Sequence, residues 1–311
     1  MTRHLRSLLD LNPQETTHLL DLAAKVKSSP GDYSSALAGK SIAMIFAKQS
    51  TRTRISFEVG INQLGAQALN LSTGGGTGMQ MGRGETTHDT AKVLSRYVHA
   101  IVMRTFAQSQ VDGLAEHGSI PVVNALTDMY HPCQALADLQ TIREHQGTTQ
   151  GKKLVYVGAG NNVAHSLLLA GPRAGMDVVC ACPAELPPNA HVFEQARADA
   201  AAAGTSVGID TSPKAVEGAD VVYTDTWVSM GEEEEAKRLI QLLSDFQVND
   251  DLMAQANDGA IFMHCLPAHR GDEVTDEVMD GKQSVVFDQA ENRLHAQKAL
   301  LLLLLGAESW S

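Results

Sequence analysis

Short apolar runs alternate with segments of helical spacing along the whole chain. Runs at residues 41–46, 100–103 and 153–157 have the length and composition of buried strands. After Asn12 and after Ser50, apolar residues instead recur every three or four positions, which predicts amphipathic helices. Because strands that alternate with helices are typical of parallel sheets covered by helices, we predict an α/β protein.

A polar stretch at residues 146–151 divides this alternation into two sets. We therefore predict a first domain over residues 1–145 and a second over 146–290, each a parallel sheet flanked by helices. The last segment, 291–311, contains a helix that is apolar nearly all round, so we expect it to be buried against the first domain. The predicted strands lie at 41–46, 66–71, 100–103 and 121–124 in the first domain, and at 153–157, 177–181, 221–223, 260–263 and 284–287 in the second.

The composition limits the classes of partner. The 311 residues carry a net charge of −12, with 43% hydrophobic and 19% charged residues, which argues against a nucleic-acid binder or a binder of anionic membranes. The longest apolar run, at residues 299–305, is far shorter than the roughly 20 residues of a membrane helix. No signal-type apolar block follows the N-terminal residues, so we expect a cytoplasmic protein, with an organelle as the alternative if a transit peptide has been removed.

The cysteines indicate reduced thiols. They are Cys133, Cys180, Cys182 and Cys265, and no two of them form a CxxC pair, so we predict neither a metal site nor a disulfide framework. Cys265 follows a predicted strand beside His264, and it is a nucleophile, a hydrogen-bonding wall of a site or a core residue. Because adjacent residues on an extended chain point apart, we favour a binding or proton-handling role over covalent catalysis.

The residues that open the helix after the first strand predict a phosphate site. A helix N-terminus offers free backbone N–H groups and the positive end of the helix dipole, and arginines add forked donors that suit phosphate oxygens. The plainer alternative is an N-cap followed by two surface arginines. Arg104 follows another strand and should face the same edge of the sheet, where α/β proteins bind ligands. The residues of this predicted helix N-terminus are Ser50, Thr51, Arg52, Thr53 and Arg54.

The turn at residues 158–163, Gly-Ala-Gly-Asn-Asn-Val, begins like a dinucleotide-binding fingerprint. Val163 stands where the third glycine is needed, and no acidic residue follows at a convincing strand end about 20 residues later. The amides of Asn161 and Asn162 suit a zwitterionic ligand better than a pyrophosphate. An NAD-dependent dehydrogenase stays as an alternative that nicotinamide absorbance would test.

Two further polar groups predict ligand contacts. His131 and Gln134 flank the first turn of a predicted helix, where an imidazole can donate to a carbonyl oxygen and an amide can contact an NH₂ group. Their alternative is a capping histidine and a solvent-exposed glutamine. Asp225 and Ser229 follow a buried strand, where a carboxylate and a hydroxyl can hold an ammonium group. The default for the neighbouring Met230 is hydrophobic packing.

Together these motifs resemble the aspartate/ornithine carbamoyltransferase family. Residues 50–54 and 131–134 match signatures of the wider family, whereas 225–231 (Asp-Thr-Trp-Val-Ser-Met-Gly) and 264–267 (His-Cys-Leu-Pro) resemble motifs of its ornithine branch. The similarity covers nearly the whole chain, including Glu291-Asn292-Arg293. The resemblance implies a transferase that moves the carbamoyl group of carbamoyl phosphate to the side-chain amine of L-ornithine, giving L-citrulline and phosphate in arginine biosynthesis or the urea cycle. It also implies a homotrimer, and no cofactor because the donor is already activated.

The resemblance further implies residue roles. Arg104, His131 and Cys265 would be the catalytic residues. Carbamoyl phosphate would contact Ser50, Thr51, Arg52, Thr53, Gln80, Arg104, His131, Gln134 and Arg293, with Gln80 supplied to a neighbouring subunit. Ornithine would contact Asn162, Asp225, Ser229, Met230, Cys265 and Leu266. The alternatives are a carbamoyltransferase for putrescine or another amine, and a non-catalytic binding protein on the same fold.

Overall fold

The computed structural model describes residues 2–47, 50–72, 84–228 and 233–310. It divides into two compact units, which are described separately: residues 1–137 with 293–311 form the first, and residues 138–292 form the second. Within the described residues, every helix is too short or too polar to cross a membrane.

The first unit is built on a parallel sheet of four strands in the order β2-β1-β3-β4. Ala43, Ile45 and Ile101 lie on these strands and pack with Val111 and Leu114 of a flanking helix in a buried cluster. The first helix begins where the sequence predicts, because Asn12 and Glu15 form a reciprocal capping box. The elements are α1 (Pro13–Ser28), β1 (Ser41–Phe46), α2 (Thr51–Gln63), β2 (Gln67–Ser72), α3 (Thr87–Tyr97), β3 (Ala100–Arg104), α4 (Gln108–His117) and β4 (Val122–Leu126).

The second unit is built on a parallel sheet of five strands in the order β7-β6-β5-β8-β9. Val155, Val222 and Phe262 on its central strands are fully buried and share a cluster with Leu243 and Val286 of the flanking helices. Its elements are β5 (Lys153–Val157), α6 (Asn162–Arg173), β6 (Asp177–Ala181), α7 (Ala190–Ala203), β7 (Val207–Asp210), β8 (Val221–Thr224), α8 (Ala236–Leu243), α9 (Asp250–Met253), β9 (Ile261–His264) and α10 (Asp276–Met279). The predicted α/β class, with two parallel sheets, is confirmed.

Two long helices, α5 (Pro132–Gln146) and α11 (Val286–Leu304), each pass through a boundary between the units. The compact units are therefore divided at 137/138 and 292/293. The domain limits at 145/146 and 290/291 stay a prediction. A continuous helix carries no polar break or turn signal, so its sequence cannot mark where one compact unit gives way to the next. The polar stretch at 146–151 begins at the last residue of α5.

The C-terminal part of α11 packs in the first unit, as predicted. Residues 299–303 are almost fully buried. Lys298 on the same helix is also buried, and its Nζ donates to Gln63 Oε1 of α2 at 3.0 Å. At Gly60 of α2, an added Cβ would lie 3.2 Å from Lys298 Cγ, so the missing side chain lets the two helices approach.

Two strand predictions need correction. The predicted strand at 284–287 is wrong: Ser284 makes one isolated bridge to Phe262, and Val286 already belongs to α11. A run of four residues is too short for periodicity to distinguish a strand from the start of a buried helix. The sequence also missed β7, an edge strand whose residues are half-buried or exposed and which contains Gly208, so that it lacks an apolar run.

Candidate active site

The N-terminus of α2 lies at the carboxyl edge of the first sheet. Ser50 is its N-cap, with extended backbone, and its hydroxyl accepts from the Thr53 N–H at 3.2 Å. Phe46, the last residue of β1, pairs in register with Arg104 at the end of β3. Thr51 and Arg52 in the first helical turn are exposed, whereas Thr53 is only 2% exposed. The predicted strand-to-helix junction is therefore present, with exposed and buried polar groups on its first turn.

The Thr53 hydroxyl contacts two buried guanidinium groups. Arg104 Nη1 donates to Thr53 Oγ1 at 3.4 Å, and Arg293 Nη2 donates to the same oxygen at 3.3 Å. Arg293 Nη1 also donates to Gln134 Oε1 at 2.6 Å, a short charge-assisted bond. All four side chains are buried. Two guanidinium groups that share neutral acceptors form a strongly positive environment, which favours an anion.

His131 lies beside this pair of arginines, immediately before the first residue of α5. Burial, followed by the charges of Arg293 and Arg104, holds the pKa of His131 well below its usual value. The imidazole is therefore neutral at neutral pH. A neutral imidazole beside two cations can donate a hydrogen bond to a carbonyl oxygen without adding another buried charge.

In the second unit, Asp225 follows β8 and is 6% exposed. Its Oδ1 accepts from the Cys265 thiol at 2.9 Å and from the Thr226 N–H at 2.8 Å. Its Oδ2 accepts from Asn161 Nδ2 at 3.0 Å. The carboxylate therefore sits in a fixed hydrogen-bonded frame. Cys265 donates to it as a thiol, which fits the predicted binding or proton-handling role better than that of a thiolate nucleophile.

The ligand contact predicted for Asn162 stays a prediction, and its neighbour Asn161 is bonded to Asp225. Asn161 is the N-cap of α6, and its Oδ1 accepts from the N–H groups of Val163 and Ala164 at 2.9 and 3.1 Å. Asn162 is the first residue of the helix. An asparagine directly before an apolar helical run is a cap signal, and that signal could have separated the two residues.

The backbone after β9 is fixed by a buried histidine and glutamate. Leu266 has a φ of 58°, in the left-handed region, and its N–H donates to His264 Nδ1 at 2.8 Å. With Nδ1 accepting, the ring carries its proton on Nε2, which donates to Glu273 Oε1 at 3.1 Å. The imidazole thus bonds Glu273, while the Cys265 thiol bonds Asp225. Spacing in the sequence gave no sign of Glu273.

Among the described residues, the ligand atoms of Asp225, His264 and Cys265 come within 4.8 Å of one another, close enough to hold a metal ion. These atoms are nevertheless engaged with protein partners: the thiol donates to Asp225, and both ring nitrogens of His264 are hydrogen-bonded. We therefore interpret the group as a hydrogen-bond network.

The glycine turn after β5 does not fit a dinucleotide. Gly160 N–H donates to Leu186 O at 2.8 Å, and a Cβ at Gly160 would lie 2.1 Å from the Pro188 nitrogen. The segment around Pro188 therefore covers the backbone that a bound pyrophosphate would have to approach. This contact counts against the dehydrogenase alternative.

The structure brings several predicted residues together within each unit. In the first unit these are Ser50 with Thr53 at the start of α2, and Thr53, Arg104, His131, Gln134 and Arg293 around the buried guanidinium groups. In the second unit Asp225 contacts Cys265, and Leu266 is the next residue of the chain. Gln80, Ser229 and Met230 lie outside the described residues.

These features define a two-unit α/β protein. One unit has a positively charged site that suits an anion, and the other has a polar site centred on a carboxylate. Comparison with known proteins gives the family. Residues 3–144 match the aspartate/ornithine carbamoyltransferase carbamoyl-P binding domain, and residues 150–304 match the Asp/Orn binding domain of the same family. The chain belongs to the aspartate/ornithine carbamoyltransferase family.

Individual relatives are similar to this chain over nearly its full length. The ornithine carbamoyltransferase of Oceanobacillus iheyensis is 51% identical over 98% of this chain and 94% of its own length. That of Pyrococcus horikoshii is 52% identical over 98% of this chain and 96% of its own. The solved structure of the Pyrococcus furiosus ornithine carbamoyltransferase has a TM-score of 0.94 at 50% identity, covering 99% of this chain and 98% of that one.

Proposed function

We propose that this chain is an ornithine carbamoyltransferase, which transfers the carbamoyl group of carbamoyl phosphate to the side-chain amine of L-ornithine to give L-citrulline and phosphate. The observation that carries the proposal is the buried cluster of Thr53, Arg104, Gln134 and Arg293 beside a neutral His131. The relatives described above bear the name of this activity. The ornithine branch is further supported by the hydrogen-bonded pair of Asp225 and Cys265.

The first unit supplies the chemistry that carbamoyl transfer needs at the donor. Attack on the carbonyl carbon gives a tetrahedral centre whose oxygen gains negative charge, and preorganised donors stabilise that charge. Arg104, Thr53 and His131 are the donors we assign to this oxygen. Arg293 adds a fourth donor to the same oxygen, and the amide oxygen of Gln134 can accept from the carbamoyl NH₂ group.

The leaving phosphate needs positive charge and N–H groups of its own. The start of α2 offers both, because its first backbone N–H groups have no partner within the helix and its dipole favours an anion. We assign the phosphate to Ser50, Thr51, Arg52 and Thr53, together with Arg104 and with Gln80 of a neighbouring subunit. The exposure of Arg52 is compatible with this role, since the side chain is open to an incoming ligand.

The second unit supplies an acceptor site for an amino acid. Asp225 is suited to the positive charge of an ammonium group, and Asn162 at the start of α6 to a carboxylate. Ser229 and Met230 complete our assignment on that side, and Cys265 with Leu266 lines the position of the attacking amine. The amine attacks only as the neutral base, so the rate at saturating carbamoyl phosphate should rise with pH as bound ornithine loses its proton.

We further propose that the protein is a cytoplasmic homotrimer that acts in arginine biosynthesis. The trimer follows from the family resemblance and from the assignment of Gln80 to a neighbour's phosphate. Light scattering on the purified protein tests it, with a mass of three chains expected and a monomer contradicting it. Mixing an Arg104→Ala chain with a Gln80→Ala chain is a sharper test, because only a site shared between subunits allows the mixture to regain activity.

The proposed reaction is tested by offering the purified chain carbamoyl phosphate with equal concentrations of ornithine and putrescine. Citrulline should form in large excess over carbamoylputrescine, because a diamine leaves the groups for the α-amino and α-carboxylate unmatched. Preference for putrescine would show that the acceptor is an amine other than ornithine. The absence of a carbamoylated product with either amine would refute the proposed transferase activity. Binding of carbamoyl phosphate without turnover would favour a binding protein.

A further inference from the structure

We propose that Asn161 is a positioning residue that fixes the Asp225 carboxylate for ornithine, while itself being held by the N-terminus of α6. The inference rests on the proposed function and concerns the acceptor side of that site. It assigns to one asparagine two separable tasks, capping a helix and orienting a carboxylate.

The first observation is that the side-chain amide of Asn161 cannot flip. Its Oδ1 accepts from two backbone N–H groups, those of Val163 at 2.9 Å and Ala164 at 3.1 Å. Exchange of the oxygen and nitrogen positions would set an NH₂ group against both backbone donors. The helix N-terminus therefore forces Nδ2 to point away from α6.

The second observation is that Nδ2 of Asn161 points towards the Asp225 carboxylate. It donates to Asp225 Oδ2 at 3.0 Å. The amide is thus held between the helix N-terminus and the carboxylate. Among the described residues of the proposed acceptor site, Asp225 is bonded to this donor.

The third observation is that the two carboxylate oxygens of Asp225 have different partners. Oδ1 is bonded to Cys265 and to the Thr226 N–H, so Oδ2 is the oxygen whose direction Asn161 determines. Without this donor the carboxylate could rotate about its Cβ–Cγ bond while keeping a bond to Cys265. A rotated carboxylate would meet the ornithine ammonium in a different geometry, at the expense of ornithine binding and of the approach of its side-chain amine.

Two substitutions separate the tasks. Asn161→Ser keeps a good N-cap but is too short to reach Asp225. Asn161→Asp keeps the cap and the shape of the side chain but sets a second carboxylate against Asp225 in place of a donor. Asn189 is the matched control, because it caps α7 with the same pattern, accepting from the N–H groups of His191 and Val192. The controls are Asn189→Ser and Asn189→Asp.

Steady-state citrulline formation is measured for each variant with both substrates varied, together with thermal unfolding. We expect Asn161→Ser to raise the KM for ornithine about tenfold, the effect of one lost hydrogen bond to a charged group, and to leave the KM for carbamoyl phosphate within about twofold. Asn161→Asp should lower kcat/KM for ornithine about 100-fold, since like charges repel at hydrogen-bond distance. Thermal midpoints should match those of the Asn189 variants.

An ornithine KM in Asn161→Ser within twofold of the unsubstituted protein overturns the inference. So does an equal rise of both KM values, which would show a general loss of structure. If the unsubstituted protein makes no citrulline, the proposed function fails, and the positioning role is then decided by a crystal structure of Asn161→Ser. A rotated Asp225 carboxylate supports the role, and an unmoved one refutes it.

Discussion

Arg293→Gln removes the guanidinium that joins α11 to the buried site of the first unit. Arg293 is 6% exposed and donates to Gln134 at 2.6 Å and to Thr53 at 3.3 Å. Glutamine retains a polar side chain but has no charge and no fork, so both contacts are weakened or lost. The substitution therefore tests whether this guanidinium holds the carbamoyl group, as we propose.

The size of the effect of Arg293→Gln on activity follows from the geometry of its two hydrogen bonds. The short bond to Gln134 is charge-assisted, and such bonds contribute about 1.5–3 kcal/mol each, whereas the bond to Thr53 is longer and contributes less. The loss of one preorganised donor near a developing oxyanion lowers kcat by about 10²–10³-fold. We therefore expect kcat/KM for carbamoyl phosphate to fall about 10²–10³-fold.

The same substitution has a consequence that does not depend on turnover. Arg293 is the largest charge effect that lowers the pKa of His131, ahead of Arg104. In Arg293→Gln the pKa of His131 should therefore rise towards its ordinary value, although burial still holds it down. Proton NMR of the histidine ring across pH measures this directly.

Arg173→Gln is the control for Arg293→Gln. Arg173 is partly buried and pairs with Asp199 at 2.8 Å, but it lies on α6 in the second unit. Its loss should lower the free energy of unfolding and leave both the KM for carbamoyl phosphate and the pKa of His131 unchanged. If Arg293→Gln behaves like Arg173→Gln in these two measurements, the reasoning about the buried cluster is refuted.

Three further predictions concern stability. Folding lowers the pKa of His131, so between the folded-state pKa and pH 6.5 the unfolded chain binds more protons than the folded protein. The free energy of unfolding should therefore fall as the pH drops through this range, by up to about 1.4 kcal/mol per pH unit. Urea unfolding at several pH values should show that His131→Asn removes this part of the pH dependence. Gly60→Val should cost about 2 kcal/mol, because a Cβ already lies 3.2 Å from Lys298 Cγ and two further methyl groups would overlap α11, which outweighs the few tenths of a kcal/mol that valine gains over glycine in a helix. An unchanged urea midpoint would contradict this close packing. Gly160→Ala should cost about 3 kcal/mol, because its Cβ would overlap the backbone at Pro188, and a mild effect would show that the covering segment yields easily.

The sequence predicted the parts of the fold that depend on local pattern. The start of α2 was readable because a hydroxyl N-cap directly follows an apolar strand, and the structure has Ser50 in that position. The central strands were readable because they are buried on both faces. The edge strand β7 was not, because a half-exposed strand loses the apolar run that marks a parallel sheet.

The contacts that support the site were beyond the reach of sequence. His264 depends on Glu273 through its ring and on Gln289 through its backbone N–H, which donates to Gln289 Oε1 at 2.9 Å. Gln289 is fully buried on α11 and also donates to Asp138 and Tyr223. Such partners lie far apart in the chain, and only the fold makes them neighbours.

Isotope transfer tests the central claim most directly. The purified protein is given carbamoyl phosphate labelled with ¹³C in the carbamoyl carbon, together with L-ornithine, and the products are followed by ¹³C and ³¹P NMR. We predict that the label appears in the ureido carbon of citrulline, with one phosphate released for each citrulline formed, and that Arg293→Gln slows both equally. Phosphate release without labelled citrulline, or the absence of both, would contradict it.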